Sequence, residues 1–140
     1  MKNLENFKSA YFFGPKNIKV VNRNIKNIDN NSLIIKVSSC MICGSDLRIF
    51  KEGSVRIKKP IIIGHETSGI VVHSKIKKMK VGDKVSLGAD FDTKSNFAFG
   101  YEIDGGFSQY ILLKKSEALK APIARFSKKI SFDEAALAEP

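Results

Sequence analysis

The chain has 140 residues, the size of one domain, and is long enough to bury a core. Hydrophobic residues make up 43% of it and charged residues 27%, which is typical of a globular protein and not of a disordered one. No apolar run approaches the roughly 20 residues of a membrane-spanning helix. The N-terminal segment MKNLENFKSA lacks the apolar stretch of a signal peptide. We therefore expect a reduced, cytoplasmic protein with no membrane partner.

The formal net charge of +10 makes nucleic acid a partner to consider. However, the basic residues are almost all lysines in scattered pairs, and arginine, which suits bidentate phosphate contacts, is scarce. These pairs are Lys58-Lys59, Lys77-Lys78, Lys114-Lys115 and Lys128-Lys129. A solvated lysine surface is favoured, and we expect no nucleic-acid partner. A basic nucleic-acid-binding barrel is the least favoured alternative, since such barrels need stacking aromatic residues in a basic groove.

Short β-rich runs separated by turns dominate the chain. The predicted strands are, in order, Ala10–Phe13, Ile18–Val21, Leu33–Val37, Ser68–His73, Lys84–Leu87 and Phe107–Leu113. A short helix is predicted over Ser45–Phe50. A second follows Ser131, which forms a capping box with Glu134 ahead of the helix-forming run Ala135–Ala138. The pattern predicts one mainly β domain over residues 1–140, a barrel or sandwich with short helices.

The best metal-binding side chains are concentrated in two motifs, Cys43-Gly44-Ser45-Asp46 and Gly64-His65-Glu66. A thiolate and a neutral imidazole suit zinc, and a carboxylate such as Asp46 can fix an imidazole by accepting its second N–H. The hydroxyl of Ser45 is placed to pass a proton. Taken singly, Cys43 is better explained as a core thiol and His65 as a hydrogen-bonded core histidine. Together, each flanked by glycine and a carboxylate, they favour an open metal site of the catalytic kind.

Cys40 and Cys43 form a C-x-x-C pair, which raises a redox or a zinc-knuckle interpretation. No thioredoxin-like unit surrounds the pair, and no second ligand pair at knuckle spacing is present in the sequence. We favour Cys40 as a small buried residue at the end of a strand.

Four motifs resemble those of the medium-chain zinc-dependent dehydrogenases, and the resemblance runs from about Val20 to Pro140. They are Cys43–Asp46, Gly64–Gly69 (Gly-His-Glu-x-x-Gly), Val81–Val85 (Val-Gly-Asp-Lys-Val) and Gly105–Tyr110 (Gly-Gly-Phe-Ser-Gln-Tyr). The closing segment Glu134–Pro140 resembles the polyol (sorbitol) and threonine dehydrogenase branch. The resemblance implies a GroES-like β-barrel, the N-terminal catalytic domain of an NAD- or NADP-dependent dehydrogenase acting on a small alcohol or polyol.

The resemblance also implies roles for individual residues. Cys43 and His65 would bind zinc, Glu66 would bind it directly or exchange with water, and Glu139 would supply a fourth ligand, directly or through water. Ser45 would relay the substrate proton and Asp46 would orient His65, so Ser45, Asp46 and Glu66 form the expected catalytic set.

We expect one catalytic zinc and no structural zinc, because the stretch 86–104 contains none of the clustered cysteines that hold a structural zinc in other members. Arg48 stands where many members have histidine, and its role is open. The cofactor-binding residues are unknown.

Family members are about twice as long and carry a Rossmann domain for the nicotinamide cofactor. No G-x-G-x-x-G unit occurs in this sequence. We therefore expect these 140 residues to be inactive alone, with the missing Rossmann domain as a partner and a homo-oligomer as the full-length form. The alternative is a non-catalytic GroES-like scaffold or interaction domain.

Overall fold

The computed structural model describes residues 3–26, 28, 32–91 and 97–138. Eight strands and three helices lie in this part of the chain. The strands are β1 Leu4–Gly14, β2 Asn17–Ile25, β3 Leu33–Cys40, β4 Ile61–Ile62, β5 Thr67–Ser74, β6 Lys84–Leu87, β7 Tyr110–Leu113 and β8 Ile123–Arg125. The helices are α1 Gly44–Glu52, α2 Lys115–Lys120 and α3 Phe132–Leu137. None of these helices has the length and apolar character that crossing a membrane requires.

The strands form two antiparallel sheets, one of three strands in the order β2-β1-β4 and one of five in the order β7-β3-β5-β6-β8. The segment 107–109, just before β7, connects them. The N–H of Ala10 in β1 donates to the carbonyl of Phe107 (2.8 Å), and the N–H of Val37 in β3 donates to the carbonyl of Gln109 (2.9 Å). The mainly β fold predicted from the sequence is confirmed.

Strand β3 lies between β7 and β5 in the five-stranded sheet and is buried on both faces at its start. Leu33 and Ile35 point into the main apolar cluster between the sheet and the loops, whereas Ile34 joins a second cluster with Phe7. This alternation follows from the two-residue period of a strand. All three side chains are fully buried, and burial of each contributes about 1.5–3 kcal/mol to folding.

The predicted elements are present, although several bounds differ. Strand β1 is longer than predicted, and β7 begins only at Tyr110, because the preceding residues bond to β1 and to the chain around residue 63 instead. The capping box exists as predicted: Ser131 Oγ accepts from the N–H of Glu134 (3.2 Å), and Glu134 Oε2 accepts from the N–H of Ser131 (2.8 Å). Strands β4 and β8 and helix α2 were not predicted.

Helix α3 lies across the five-stranded sheet and is attached to it by a row of three serine hydroxyls. The three serines are cross-strand neighbours on β3, β5 and β6. Their bonds are Ser39 Oγ to Asp133 Oδ1 (2.6 Å), Ser68 Oγ to the Phe132 carbonyl (2.6 Å) and Ser86 Oγ to the Ala135 carbonyl (2.7 Å). The buried face of α3 consists of Ala135 and Ala136, whose small side chains allow the helix backbone to approach the strands this closely.

Candidate metal centre

The start of helix α1 positions one half of the site. Cys43 is the N-cap residue, and its backbone N–H donates to Asp46 Oδ2 at 3.1 Å. A carboxylate in the first turn is favoured there because it satisfies a free N–H and faces the positive end of the helix dipole. Asp46 is only 2% exposed. The cap therefore fixes the position of the Asp46 carboxylate through Oδ2 and leaves its other oxygen, Oδ1, outside this hydrogen bond.

The turn after β4 presents His65. Gly64 adopts φ = +93°, and a Cβ at this position would lie 2.7 Å from Phe107 Cδ1, so only glycine fits both the backbone and the space. The carbonyl of Gly64 accepts from the N–H of Gly106 at 2.8 Å, and the carbonyl of Ile63 accepts from the N–H of Phe107 at 3.0 Å. After His65, the carbonyl of Glu66 accepts from the N–H of Met41 at 2.9 Å. The segment that carries His65 is therefore anchored on both sides.

These two segments bring three polar atoms together. Cys43 Sγ lies 3.2 Å from His65 Nε2, and Ser45 Oγ lies 2.8 Å from the sulfur and 3.2 Å from the same nitrogen. A sulfur and a nitrogen ligand of one tetrahedral zinc ion are about 3.6 Å apart. The observed separation differs from this by a few tenths of an ångström.

The other side of the imidazole faces Asp46. His65 Nδ1 lies 3.8 Å from Asp46 Oδ1, and both atoms are buried without a hydrogen-bond partner among the described residues. Because unpaired buried polar atoms are costly, a small movement of the imidazole and the carboxylate towards each other is favoured, since it would form a hydrogen bond from Nδ1–H to the carboxylate. That bond would keep the proton on Nδ1 and leave the lone pair of Nε2 beside Cys43 Sγ, as a zinc ligand requires. The donor set therefore fits zinc.

The predicted site residues are only partly brought together. Ligand atoms of Cys43, Asp46 and His65 all lie within 4.8 Å of one another. The carboxylate of Glu66 falls outside this group of described residues, although the residue is 8% exposed and its carbonyl accepts from the Met41 N–H at 2.9 Å. Glu139 lies outside the described residues. The ligand roles of Glu66 and Glu139 therefore stay predictions.

Two further residues singled out in the sequence lie close to the motifs in the chain. Burial raises the pKa of the Cys40 thiol to about 12, against a hydrogen bond with Thr67 Oγ1 (3.2 Å) that acts to lower it. A thiol that stays protonated at neutral pH is a poor zinc ligand, which agrees with a structural role at the end of β3. Arg48 is exposed on α1.

A cluster that the sequence did not predict borders the site. The ring of Tyr101 lies 6.2 Å from the imidazole of His65, and the guanidinium of Arg56 lies over the Tyr101 ring at 4.3 Å. Arg56 Nε and Nη2 donate to Glu102 Oε1 (2.9 Å) and Oε2 (2.7 Å). The one trace of this cluster in the sequence is an aromatic residue followed by a carboxylate, shortly before the Gly-Gly-Phe motif, and this pair alone does not indicate a site. Their partner Arg56 lies 46 positions away, and no local pattern connects them.

Both charges of this cluster are stabilised. The hydrogen bond to Glu102 raises the pKa of Arg56, against the effect of burial. For Glu102, burial acts to raise the pKa, but hydrogen bonds from Arg56 and from the Ala98 N–H outweigh it, and the pKa lies below its ordinary value. The pair is therefore ionised at neutral pH and holds two loops together beside His65.

Comparison with known proteins identifies the protein family to which the chain is similar. The profile of the family described as "Alcohol dehydrogenase GroES-like domain" matches residues 29–123, more than half of the chain. Sorbitol dehydrogenase of Bacillus subtilis (strain 168) is 30% identical, covering 97% of this chain and 43% of that enzyme. D-xylulose reductase of Saccharomyces cerevisiae is 31% identical, covering 90% and 40%. The crystal structure of 2R,3R-butanediol dehydrogenase from Bacillus subtilis matches with a TM-score of 0.80 at 27% identity, covering 95% of this chain and 44% of that one.

The chain therefore belongs to the alcohol dehydrogenase GroES-like domain family. The resemblance and the GroES-like fold expected from the motifs are confirmed. The chain spans about two fifths of the length of the curated relatives it matches.

Proposed function

We propose that this chain is the zinc-binding catalytic part of an NAD- or NADP-dependent dehydrogenase that oxidises a small alcohol or polyol. The observation that carries the proposal is the 3.2 Å approach of Cys43 Sγ to His65 Nε2, with the buried carboxylate of Asp46 behind the imidazole. The names of the relatives, sorbitol dehydrogenase, D-xylulose reductase and butanediol dehydrogenase, support a polyol or diol as the substrate.

In this proposal Cys43 and His65 hold one zinc ion, with Glu66 and Glu139 as further ligands. The chemistry that zinc supplies when bound is Lewis-acid polarisation of an alcohol oxygen, and that of the nicotinamide is acceptance of a hydride. Ser45 accepts the proton of the substrate hydroxyl at Oγ and passes it on towards solvent, since its side chain is only partly buried. Asp46 holds the imidazole in one tautomer and orientation.

The cofactor, the oligomeric state and the cellular location belong to the same proposal. The nicotinamide would be bound by a Rossmann domain, which these 140 residues do not contain in sequence. The absence of cysteine from residues 86–104 supports a single zinc without a structural one. We expect a cytoplasmic homo-oligomer for the whole enzyme.

Metal content tests the proposal directly. Protein purified without chelators should contain about one zinc ion per chain, and Cys43→Ala and His65→Ala should each lose it. Loading with Co²⁺ should give a thiolate-to-metal absorption band in the wild type that Cys43→Ala lacks. Cys40→Ala is the matched control, because the Cys40 thiol is expected to remain protonated, and it should keep both zinc and the band.

No zinc in the wild type, or undiminished zinc in Cys43→Ala, would refute the proposal. Folding of the wild type without metal, with no zinc taken up, would favour the scaffold alternative instead.

A further inference from the structure

Tyr101 stands between the proposed metal site and a fixed cation. One neighbour of its ring is the imidazole of His65, at 6.2 Å and an interplanar angle of 36°. The other is the guanidinium of Arg56, at 4.3 Å from the ring centroid. The ring also packs against an apolar cluster that includes Ile49 and Ile63. Tyr101 is therefore placed directly beside His65.

The position of this ring is set by a clasp of charged groups. Arg56 donates two parallel hydrogen bonds to Glu102, the residue after Tyr101, and Glu102 Oε2 also accepts from the N–H of Ala98 at 3.0 Å. Bidentate pairs of this kind fix orientation as well as distance. A planar guanidinium held in this way gives the Tyr101 ring a rigid face to stack on.

The phenol group of Tyr101 has hydrogen-bonding capacity that the described residues do not use. The side chain is partly exposed, and its hydroxyl forms no hydrogen bond within the described part of the chain. A phenol can both donate and accept one hydrogen bond. A hydroxyl of this kind at the border of a metal site is suited to bind a second polar group of a ligand whose first oxygen lies at the metal.

We propose that Tyr101 is a specificity-determining residue that binds the second hydroxyl of a vicinal diol or polyol, and that Arg56 and Glu102 are positioning residues for its ring. The inference rests on the proposed function and names the group that recognises its substrate class. A diol carries its second hydroxyl on the neighbouring carbon, within reach of a residue that borders His65, whereas a monohydric alcohol offers Tyr101 only apolar contact.

The test compares two small probes on the zinc-loaded full chain, 1,2-propanediol and 1-propanol, with dissociation constants measured by NMR titration. One hydrogen bond predicts that the wild type binds the diol about three- to tenfold more tightly. Tyr101→Phe should lower that ratio to about one while zinc content and the affinity for 1-propanol stay unchanged. Tyr110→Phe is the matched control, since Tyr110 packs against Phe7 in a different cluster, and it should keep the ratio.

Arg56→Lys and Glu102→Gln separate positioning from a general structural role. Each keeps the Tyr101 hydroxyl but removes the two-bond clasp, so each should lower the diol preference at least twofold without loss of zinc.

Zinc uptake without any diol preference in the wild type, or a preference that survives in Tyr101→Phe, overturns the assignment of Tyr101. An unchanged preference in both clasp variants overturns the positioning role. Failure to bind zinc overturns the proposed function, and the inference with it.

Discussion

Substitution of Gly64 by alanine tests how the structure holds His65 in place. The added methyl group meets two separate obstacles. The first is the backbone conformation, because φ = +93° is unfavourable for a residue with a Cβ. The second is space, because the Cβ would lie 2.7 Å from Phe107 Cδ1 and 3.0 Å from Cys40 Sγ. The backbone effect costs about 1–2 kcal/mol, and overpacking typically costs about 1–3 kcal/mol. We expect the metal-free chain to lose about 2–5 kcal/mol of its free energy of unfolding.

The structure offers two control positions, one with the backbone obstacle alone and one with neither obstacle. Gly82 has nearly the same backbone angle, φ = +94°, but no atom lies within 4 Å of the position of its Cβ. Gly82→Ala should therefore cost only the conformational part, about 1–2 kcal/mol. Gly44 has neither obstacle and begins a helix, so Gly44→Ala should be neutral or slightly stabilising.

Urea unfolding of the three metal-free variants gives the comparison. The difference between Gly64→Ala and Gly82→Ala isolates the contact with Phe107 and Cys40. If the two variants lose the same stability, the turn that carries His65 is not tightly packed, and the argument that it is anchored on both sides is wrong. A fall in zinc affinity of Gly64→Ala that Gly82→Ala does not share would link this packing to the site.

Two further predictions concern the carboxylates around His65. Asp46→Asn keeps the volume but loses the charge that orients the imidazole, so zinc affinity measured by chelator competition should fall about 10- to 100-fold with the fold intact; unchanged affinity would contradict the orienting role. The pKa of Glu102 is lowered in the folded state, so its contribution is present above the ordinary pKa of glutamate and is lost as pH falls through the lowered value. Glu102→Gln should therefore be about 1 kcal/mol less stable than the wild type at pH 7. Urea titrations at successively lower pH, below the ordinary pKa of glutamate, should show the gap closing; a gap that does not depend on pH would exclude the ion pair as its cause.

The part of the site that could be predicted from sequence is the part encoded locally. Cys43, Ser45 and Asp46 are neighbours in one helix start, and a short motif predicts their geometry because a helix N-terminus has few ways to satisfy its N–H groups. The approach of His65 to Cys43 is a contact between distant segments. It was expected because the best metal-binding side chains are concentrated in the two motifs, and because these motifs resemble those of a known family.

Features without a local signal were missed. Helix α2 has Lys114 at its N-cap instead of a residue that prefers this position, and it is only six residues long. Strand β4 follows Pro60 and has only two residues. It is therefore too short to show the alternation of apolar and polar residues by which a strand is recognised. The clasp of Arg56 with Glu102 depends on two loops that meet only in the folded barrel. Short elements of this kind are specified by their tertiary contacts and not by their own propensities.

The row of serines under helix α3 makes the seating of that helix dependent on the pairing of three strands. Ser39, Ser68 and Ser86 share one face only while β3, β5 and β6 keep their register, since a slip of one residue would turn a hydroxyl to the opposite face of the sheet. A slipped sheet could still bury apolar side chains, but it could not offer α3 all three hydroxyls. Full docking of α3 therefore requires the native register of all three strands.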